Sequence, residues 1–121
     1  METVGGFVSS GNKPQGSLPI PLTSVVVYQV SNNLLAGGIP HQMCRASGMA
    51  CFDVSNNYLS GQIPDCINEL GVGGFLLVLN LQGNKFDGTI RQLHPKFWNL
   101  RMINLGWNQL QGQMPRSWLA A

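Results

Sequence analysis

Three cysteines, two histidines and five carboxylates carry the side chains of this 121-residue chain best suited to metal, nucleophilic or acid–base chemistry. His41 and Cys44 stand three residues apart, a spacing met in zinc sites. No second paired spacing follows to complete a tetrahedral set, so zinc is not expected. Cys51 and His94 could make a thiolate–imidazole pair only inside a cleft that holds both within hydrogen-bond reach. The carboxylates are Glu2, Asp53, Asp65, Glu69 and Asp87. They fall at unrelated places in the local pattern and define no acid–base pair. The run GVGG (71–74) is not a dinucleotide fingerprint, because Leu76 stands where the third glycine is needed. The expectation is a chain with no catalytic residue, no metal and no cofactor.

Amide chemistry remains, and its spacing is regular. Asn12, Asn33, Asn57, Asn84 and Asn108 recur at steps of 21, 24, 27 and 24 residues. Steps that differ by three fit a constant core with loops of varying length, and GVGG supplies the slack in the longest. A period of this size is the mark of a repeat array. Four segments align around these asparagines: YQVSNNLLAGGIP (28–40), FDVSNNYLSGQIP (52–64), LNLQGNKFDGTIR (79–91) and INLGWNQLQGQMP (103–115). A weaker fifth copy, FVSSGNKPQGSLP (7–19), begins with Phe7 aligned to Tyr28.

Each position in the unit has a physical task. The alternating apolar pair, Phe52 and Val54 or Leu79 and Leu81, has the period of a short strand turning two side chains inward. The asparagine follows where the chain leaves the strand. Its amide can bond backbone groups that the turn leaves unpaired, and stacked copies form a ladder of Asn33, Asn57, Asn84 and Asn108. Leu35, Leu59, Phe86 and Leu110 refill the core. Gly37, Gly61, Gly88 and Gly112 suit a tight turn with unusual dihedrals. The Ile or Met two places later packs inward, and proline opens the return. One coil cannot bury its apolar side alone, so neighbours must stack. Stacked coils offer no cleft for Cys51 and His94.

The expected architecture is a single solenoid array over residues 1–121. Its repeats run approximately over 7–27, 28–51, 52–78, 79–102 and 103–121. A short parallel sheet lines the concave side, with irregular or short-helical returns behind, and both ends are expected as uncapped edges.

Composition agrees. Only 10% of residues are charged while 44% are hydrophobic, which disfavours disorder. A net charge of +2 with scattered cations gives no footprint for nucleic acid. METVGGFVSS lacks a basic region and an apolar stretch of signal-peptide length. No apolar run approaches the roughly 20 residues that span a bilayer. No Asn-x-Ser/Thr glycosylation sequon occurs.

The repeat resembles the plant-specific leucine-rich repeat, LxLxxNxLxGxIP. SNNLLAGGIP, SNNYLSGQIP and NQLQGQMP are similar to the ectodomains of plant receptor-like proteins, the kinase-lacking relatives of leucine-rich-repeat receptor kinases. The likeness covers about residues 7–117. Arg91 departs from it by replacing proline, and the first interval is three residues short. The family's signal peptide, paired-cysteine cap, acidic juxtamembrane stretch and membrane helix are not in this sequence, which reads as a fragment or truncated product. The resemblance implies the extracellular side of the plasma membrane, a protein or peptide ligand, and a co-receptor kinase. Cysteines placed like Cys44 and Cys66 occur in that family. Coil stacking of ~4.8 Å against a Cα limit of roughly 7 Å leaves a bridge between them open, the other reading being two buried thiols. Cys51 is expected unpaired.

Recognition would lie on outward strand positions. Gln29, Asp53, Asn80 and Asn104 form a polar column; Val27, Cys51, Val78 and Met102 form an apolar one beside it. Ser31, Ser55, Gln82 and Gly106 follow, then Asn32, Asn56, Gly83 and Trp107. Trp107 is the expected aromatic anchor. The expected function is extracellular ligand perception or co-receptor pairing, in defence or development. The alternatives are an inhibitor of a secreted cell-wall hydrolase and a non-functional remnant.

Overall fold

The computed structural model describes residues 3–4, 7–8, 16–67, 70, 75–88 and 100–111. Asn12, GVGG (71–74), Ile90, Arg91, His94, Gly112 and Met114 lie outside them. Nine short strands run through the described residues: β1 (Thr3–Val4), β2 (Phe7–Val8), β3 (Val27–Gln29), β4 (Ala36–Gly37), β5 (Cys51–Asp53), β6 (Tyr58–Gln62), β7 (Val78–Asn80), β8 (Lys85–Asp87) and β9 (Met102–Asn104). The larger sheet has the order β1-β2-β3-β5-β7-β9. All its pairs are parallel except β1 with β2. Strand recurs once per repeat because each coil alternates one buried residue between two outward ones. Tyr28, Phe52 and Leu79 are fully buried, and Ile103 is partly so. Val30, Val54 and Leu81 follow them into the core.

Strand entry repeats a second device. The amides of Ala50 and Cys51 both donate to the Val26 carbonyl, at 2.8 and 3.2 Å. Leu77 and Val78 do the same to Ala50, and Arg101 and Met102 to Leu77. Two consecutive residues are thereby held at the start of each strand.

The glycine turns carry more structure than their sequence predicts. Gly37, Gly61 and Gly88 have φ of 86°, 85° and 90°, the left-handed region that favours glycine. Gly37 ends β4, Gly61 lies within β6 and Gly88 follows β8, the strands of a second, parallel sheet, β4-β6-β8. Its register is offset. Ala36 pairs with Tyr58 rather than with its repeat counterpart Ser60, and Ser60 pairs with Lys85 rather than Asp87. Backbone groups released by the turn find partners one coil away, as buried backbone must.

The first copy needs a correction. Phe7 lies opposite Val27, and Val8 opposite Tyr28, one residue out of the aligned register. Further along, Gly16 bridges Leu35 with the offset of the other coils. The segment between these anchors is one residue shorter than in later coils, so the strand takes up the difference. The leading edge also differs from the bare parallel strand expected: β1 folds back antiparallel on β2.

Ile39 and Ile63 are buried after their glycines. Pro40 opens a 3₁₀ helix, His41–Arg45. Met43 N–H donates to Pro40 O at 3.0 Å, and Ile67 N–H to Pro64 O at the same distance, so both returns start alike. Cys44 and Cys66 are joined between these returns with Cα atoms 5.9 Å apart.

Tyr28 is the polar member of the inward column. Its hydroxyl donates to Pro19 O at 2.6 Å, and its ring lies 5.4 Å from Phe52 at 42°. Burial pushes the phenol far above its ordinary value of 10.0. Below pH 10 neither folded nor unfolded Tyr28 ionises. Above it the unfolded chain releases a proton that the folded chain retains, so stability falls as pH rises. Tyr28→Phe is expected to cost about 1–2 kcal/mol at pH 7, from the orphaned Pro19 carbonyl, and to blunt the alkaline loss. Urea melts at pH 7 and pH 11 test both; an unchanged alkaline slope would refute the linkage.

Candidate functional site

Inter-strand register brings Val27, Cys51, Val78 and Met102 into one column, and Gln29, Asp53, Asn80 and Asn104 into another. Neighbours within a column are spaced by the strand separation, about 4.8 Å. Met102 is 43% exposed, while Val27, Cys51 and Val78 are half-buried. The apolar margin is broader than that column. Val26 and Leu77 are exposed beside it, and Phe75 is 68% exposed. Sequence reasoning missed these because it took one residue before each strand pair. The doubled carbonyl bonds hold two, and the signal was the apolar doublets Val26–Val27 and Leu77–Val78.

The polar column is built into the turn. Asp53 Oδ1 accepts from Ser55 N–H at 3.0 Å and from Ser55 Oγ at 2.6 Å. Asn80 Oδ1 accepts from Gln82 N–H and Asn104 Oδ1 from Gly106 N–H, each at 3.1 Å. These Asx turns use Asp and Asn because a short side-chain oxygen reaches the amide two residues on. They also fix which way each side chain faces. Asn104 Nδ2 donates onward to Gln82 Oε1 at 2.8 Å, tying adjacent coils.

The next column is left-handed throughout. Asn32, Asn56, Gly83 and Trp107 have φ of 59°, 57°, 73° and 55°. Asn and Gly visit this region at little cost; a bulky indole does not. Gly83 has a second reason, since a Cβ there would overlap Asn56 Oδ1. Trp107 is 82% exposed and keeps the strained conformation without burial to offset it.

Behind this face runs the asparagine ladder. Asn57 Oδ1 accepts from Leu35 N–H at 3.3 Å, in the preceding coil. Its Nδ2 reaches Val30 O at 2.8 Å in that coil, and Val54 O and Ser55 O at 3.0 and 3.2 Å in its own. Asn84 accepts from Leu59 N–H and donates to Val54 O and Leu81 O. Asn108 accepts from Phe86 N–H and donates to Leu81 O and Leu105 O. Asn33 Nδ2 donates to Ser31 O at 3.0 Å. The ladder is structural: it closes the coils on one another.

Burial, and secondarily Asp53, raises the Cys51 thiol above its ordinary value, away from the thiolate a nucleophile needs. No group of His, Cys, Asp and Glu able to hold a metal occurs among the described residues. No helix among them is long and apolar enough to cross a membrane.

The Leucine Rich Repeat family model matches residues 50–70. Over 92% of its length the chain is 34% identical to Receptor-like protein 35 of Arabidopsis thaliana. Over 80% it is 37% identical to Receptor-like protein 53 of the same plant. It spans 12% and 10% of the lengths of those two relatives. The Arabidopsis receptor kinase HAESA, solved in complex with the peptide hormone IDA and the co-receptor SERK1, superposes with a TM-score of 0.74 at 29% identity. That match covers 84% of this chain and 17% of HAESA. A plant ice-binding protein superposes with a TM-score of 0.75 at 25% identity, over 95% of this chain and 37% of its own. One coil geometry therefore serves unlike functions, and the side chains on its outer face must distinguish them.

Proposed function

The chain is a leucine-rich-repeat solenoid similar to a stretch of plant receptor-like proteins, and from that premise we propose that it is a protein- or peptide-recognition module. Its outer face carries the recognition. The observation that supports this reading is the pairing of a fixed polar column, Asp53, Asn80 and Asn104, with the apolar margin of Val27, Val78 and Met102. An extended peptide can lay small apolar side chains on the margin while its backbone groups bond the polar column. Large charged patches, which would select a charged partner, are foreign to a chain with 10% charged residues.

By likeness to HAESA, whose solved complex holds a peptide and a co-receptor, the whole protein containing this array pairs with a co-receptor kinase when ligand is bound. Its place is the extracellular side of the plasma membrane. The Cys44–Cys66 bond fits that oxidising compartment. No catalytic role is assigned: burial raises the thiol of Cys51, the one free cysteine among the described residues.

The test is affinity selection of random peptides on the immobilised chain, followed by titration against variants. Val78→Glu and Asn80→Arg are each expected to weaken a selected peptide about tenfold or more. Asp65→Ala, on the return segment, is expected to leave it unchanged. Selected peptides indifferent to both column variants would place recognition elsewhere.

A further inference from the structure

Asp53 differs from its column neighbours in what its second side-chain atom offers. In the next two coils Asn80 and Asn104 close the same turn with one oxygen, Oδ1, at 3.1 Å. Asp53 Oδ1 does this too, accepting from Ser55 N–H at 3.0 Å and from Ser55 Oγ at 2.6 Å. The turn therefore needs a single oxygen, and asparagine supplies it. At the other atom asparagine carries an N–H donor, whereas Asp53 carries an acceptor, Oδ2, and a carboxylate's charge. No hydrogen bond or ion pair reaches Oδ2 from the described residues.

That charge stands alone on the outer face. Gln29, Asn80 and Asn104 complete its column, and the columns beside it hold no other charged side chain. Burial, and secondarily Asp53, raises the Cys51 thiol, so the field of the carboxylate reaches the apolar margin. Arg101 precedes β9, two strands away from β5. Asp53 is itself half-buried, and a carboxylate drawn out of water without a counter-charge costs free energy. Neither the turn nor the core offsets that cost.

We propose that Asp53 determines specificity on this face by taking a lysine or arginine side chain of the bound peptide, an inference that rests on the peptide reading. An ammonium or guanidinium gives Oδ2 a charge-assisted hydrogen bond, roughly twice as strong as one from a neutral N–H. The neighbouring columns hold nothing that would draw the cation elsewhere. One basic residue therefore sets the register of the peptide along the coils, with that residue over β5. A single carboxylate selects a single cation rather than a basic stretch.

The test selects binders from a library of N-acetylated peptides, which removes the terminal amine as a rival cation, on the full chain and on Asp53→Asn. Lysine or arginine is expected at one position of the parent's peptides and not in those of the variant. A selected peptide is then titrated beside its uncharged form, with acetyl-lysine for lysine or citrulline for arginine, each of which keeps an N–H donor. The parent is expected to prefer the charged peptide about fivefold or more, less so as salt rises, and Asp53→Asn to show no preference. Asp53→Asn should melt within about 2 °C of the parent, because Asn80 closes the same turn with an amide. Asp53→Ser, whose hydroxyl makes a similar turn, replaces it if it does not fold. The proposal is overturned, and the peptide reading kept, if the parent's peptides share no basic position or bind alike in both forms. It is equally overturned if the variant keeps the parent's preference, which would place the cation on another residue. If neither chain enriches any peptide, the peptide reading falls and this proposal with it.

Discussion

Asn57→Asp is expected to destabilise the chain by about 3–5 kcal/mol, more than Asn57→Ala at about 1–3 kcal/mol. The order follows from the partners. Asn57 is 6% exposed. Its Nδ2 faces the carbonyls of Val30, Val54 and Ser55. Aspartate would put a second oxygen against three acceptors in a site closed to water, and a buried charge without donors is costly. Alanine only removes bonds, and some survive. Val54 O keeps Asn84 Nδ2 at 2.9 Å, and Ser55 O keeps Asn32 N–H at 3.1 Å. Leu35 N–H and Val30 O lose the amide that serves them. Asn84→Ala should cost less, because Val54 O keeps Asn57 Nδ2 and Leu81 O keeps Asn108 Nδ2, leaving Leu59 N–H as its main orphan. Urea unfolding of the three variants tests the ranking. If aspartate were tolerated as well as alanine, the ladder would not be shielded from water as described.

That ranking separates what was legible in the chain from what was not. The asparagines announced a ladder by recurrence alone, since one residue type at one place in each repeat must do the same work. Their sharing of carbonyls was invisible, because it depends on which backbone groups two neighbouring coils present together. The larger sheet was legible for a related reason: its register follows the repeat, so Tyr28, Phe52 and Leu79 pair in the order that alignment places them. The β4-β6-β8 sheet was not. Its pairing is offset by two positions per coil, so no side-chain column recurs for the eye to find, and YLSGQ shows little strand alternation.

The outer face was legible by position but not by state. Asp53, Asn80 and Asn104 were placed in the right column, yet their Oδ1 atoms are already taken by the turn that follows. What they offer a ligand is therefore narrower than an open amide or carboxylate. Trp107 shows the converse. Its exposure could be suspected from sequence, but the left-handed backbone that makes it anomalous is set by the fold of the coil. Alignment with Asn32, Asn56 and Gly83 was the available signal, for those are the residue types a positive φ selects.

The second large effect lies in the core. Phe52→Ala is expected to cost about 3–5 kcal/mol. Phe52 is fully buried, its ring 5.4 Å from that of Tyr28, and its strand β5 lies between β3 and β7. A cavity there faces two coils at once. In a repeat array each coil is stabilised by its neighbours, so stability is roughly a sum of coil and interface contributions. Removing Phe52 weakens both interfaces of one internal coil. Ile103 is only partly buried and lies on β9, so Ile103→Ala should cost less than Phe52→Ala. Exposed Gln62→Ala should shift stability by no more than about 0.5 kcal/mol. Against a total of about 5–15 kcal/mol for a domain, the Phe52 loss is large enough to break the melt into two steps, with the coils before β5 uncoupled from those after it. Urea titration followed by far-ultraviolet dichroism, with Trp fluorescence in parallel, reads both the size and the shape of the transition. A single transition displaced by no more than the Gln62→Ala control would show that Phe52 does not join the two halves of the core, and the stacking register would have to be redrawn.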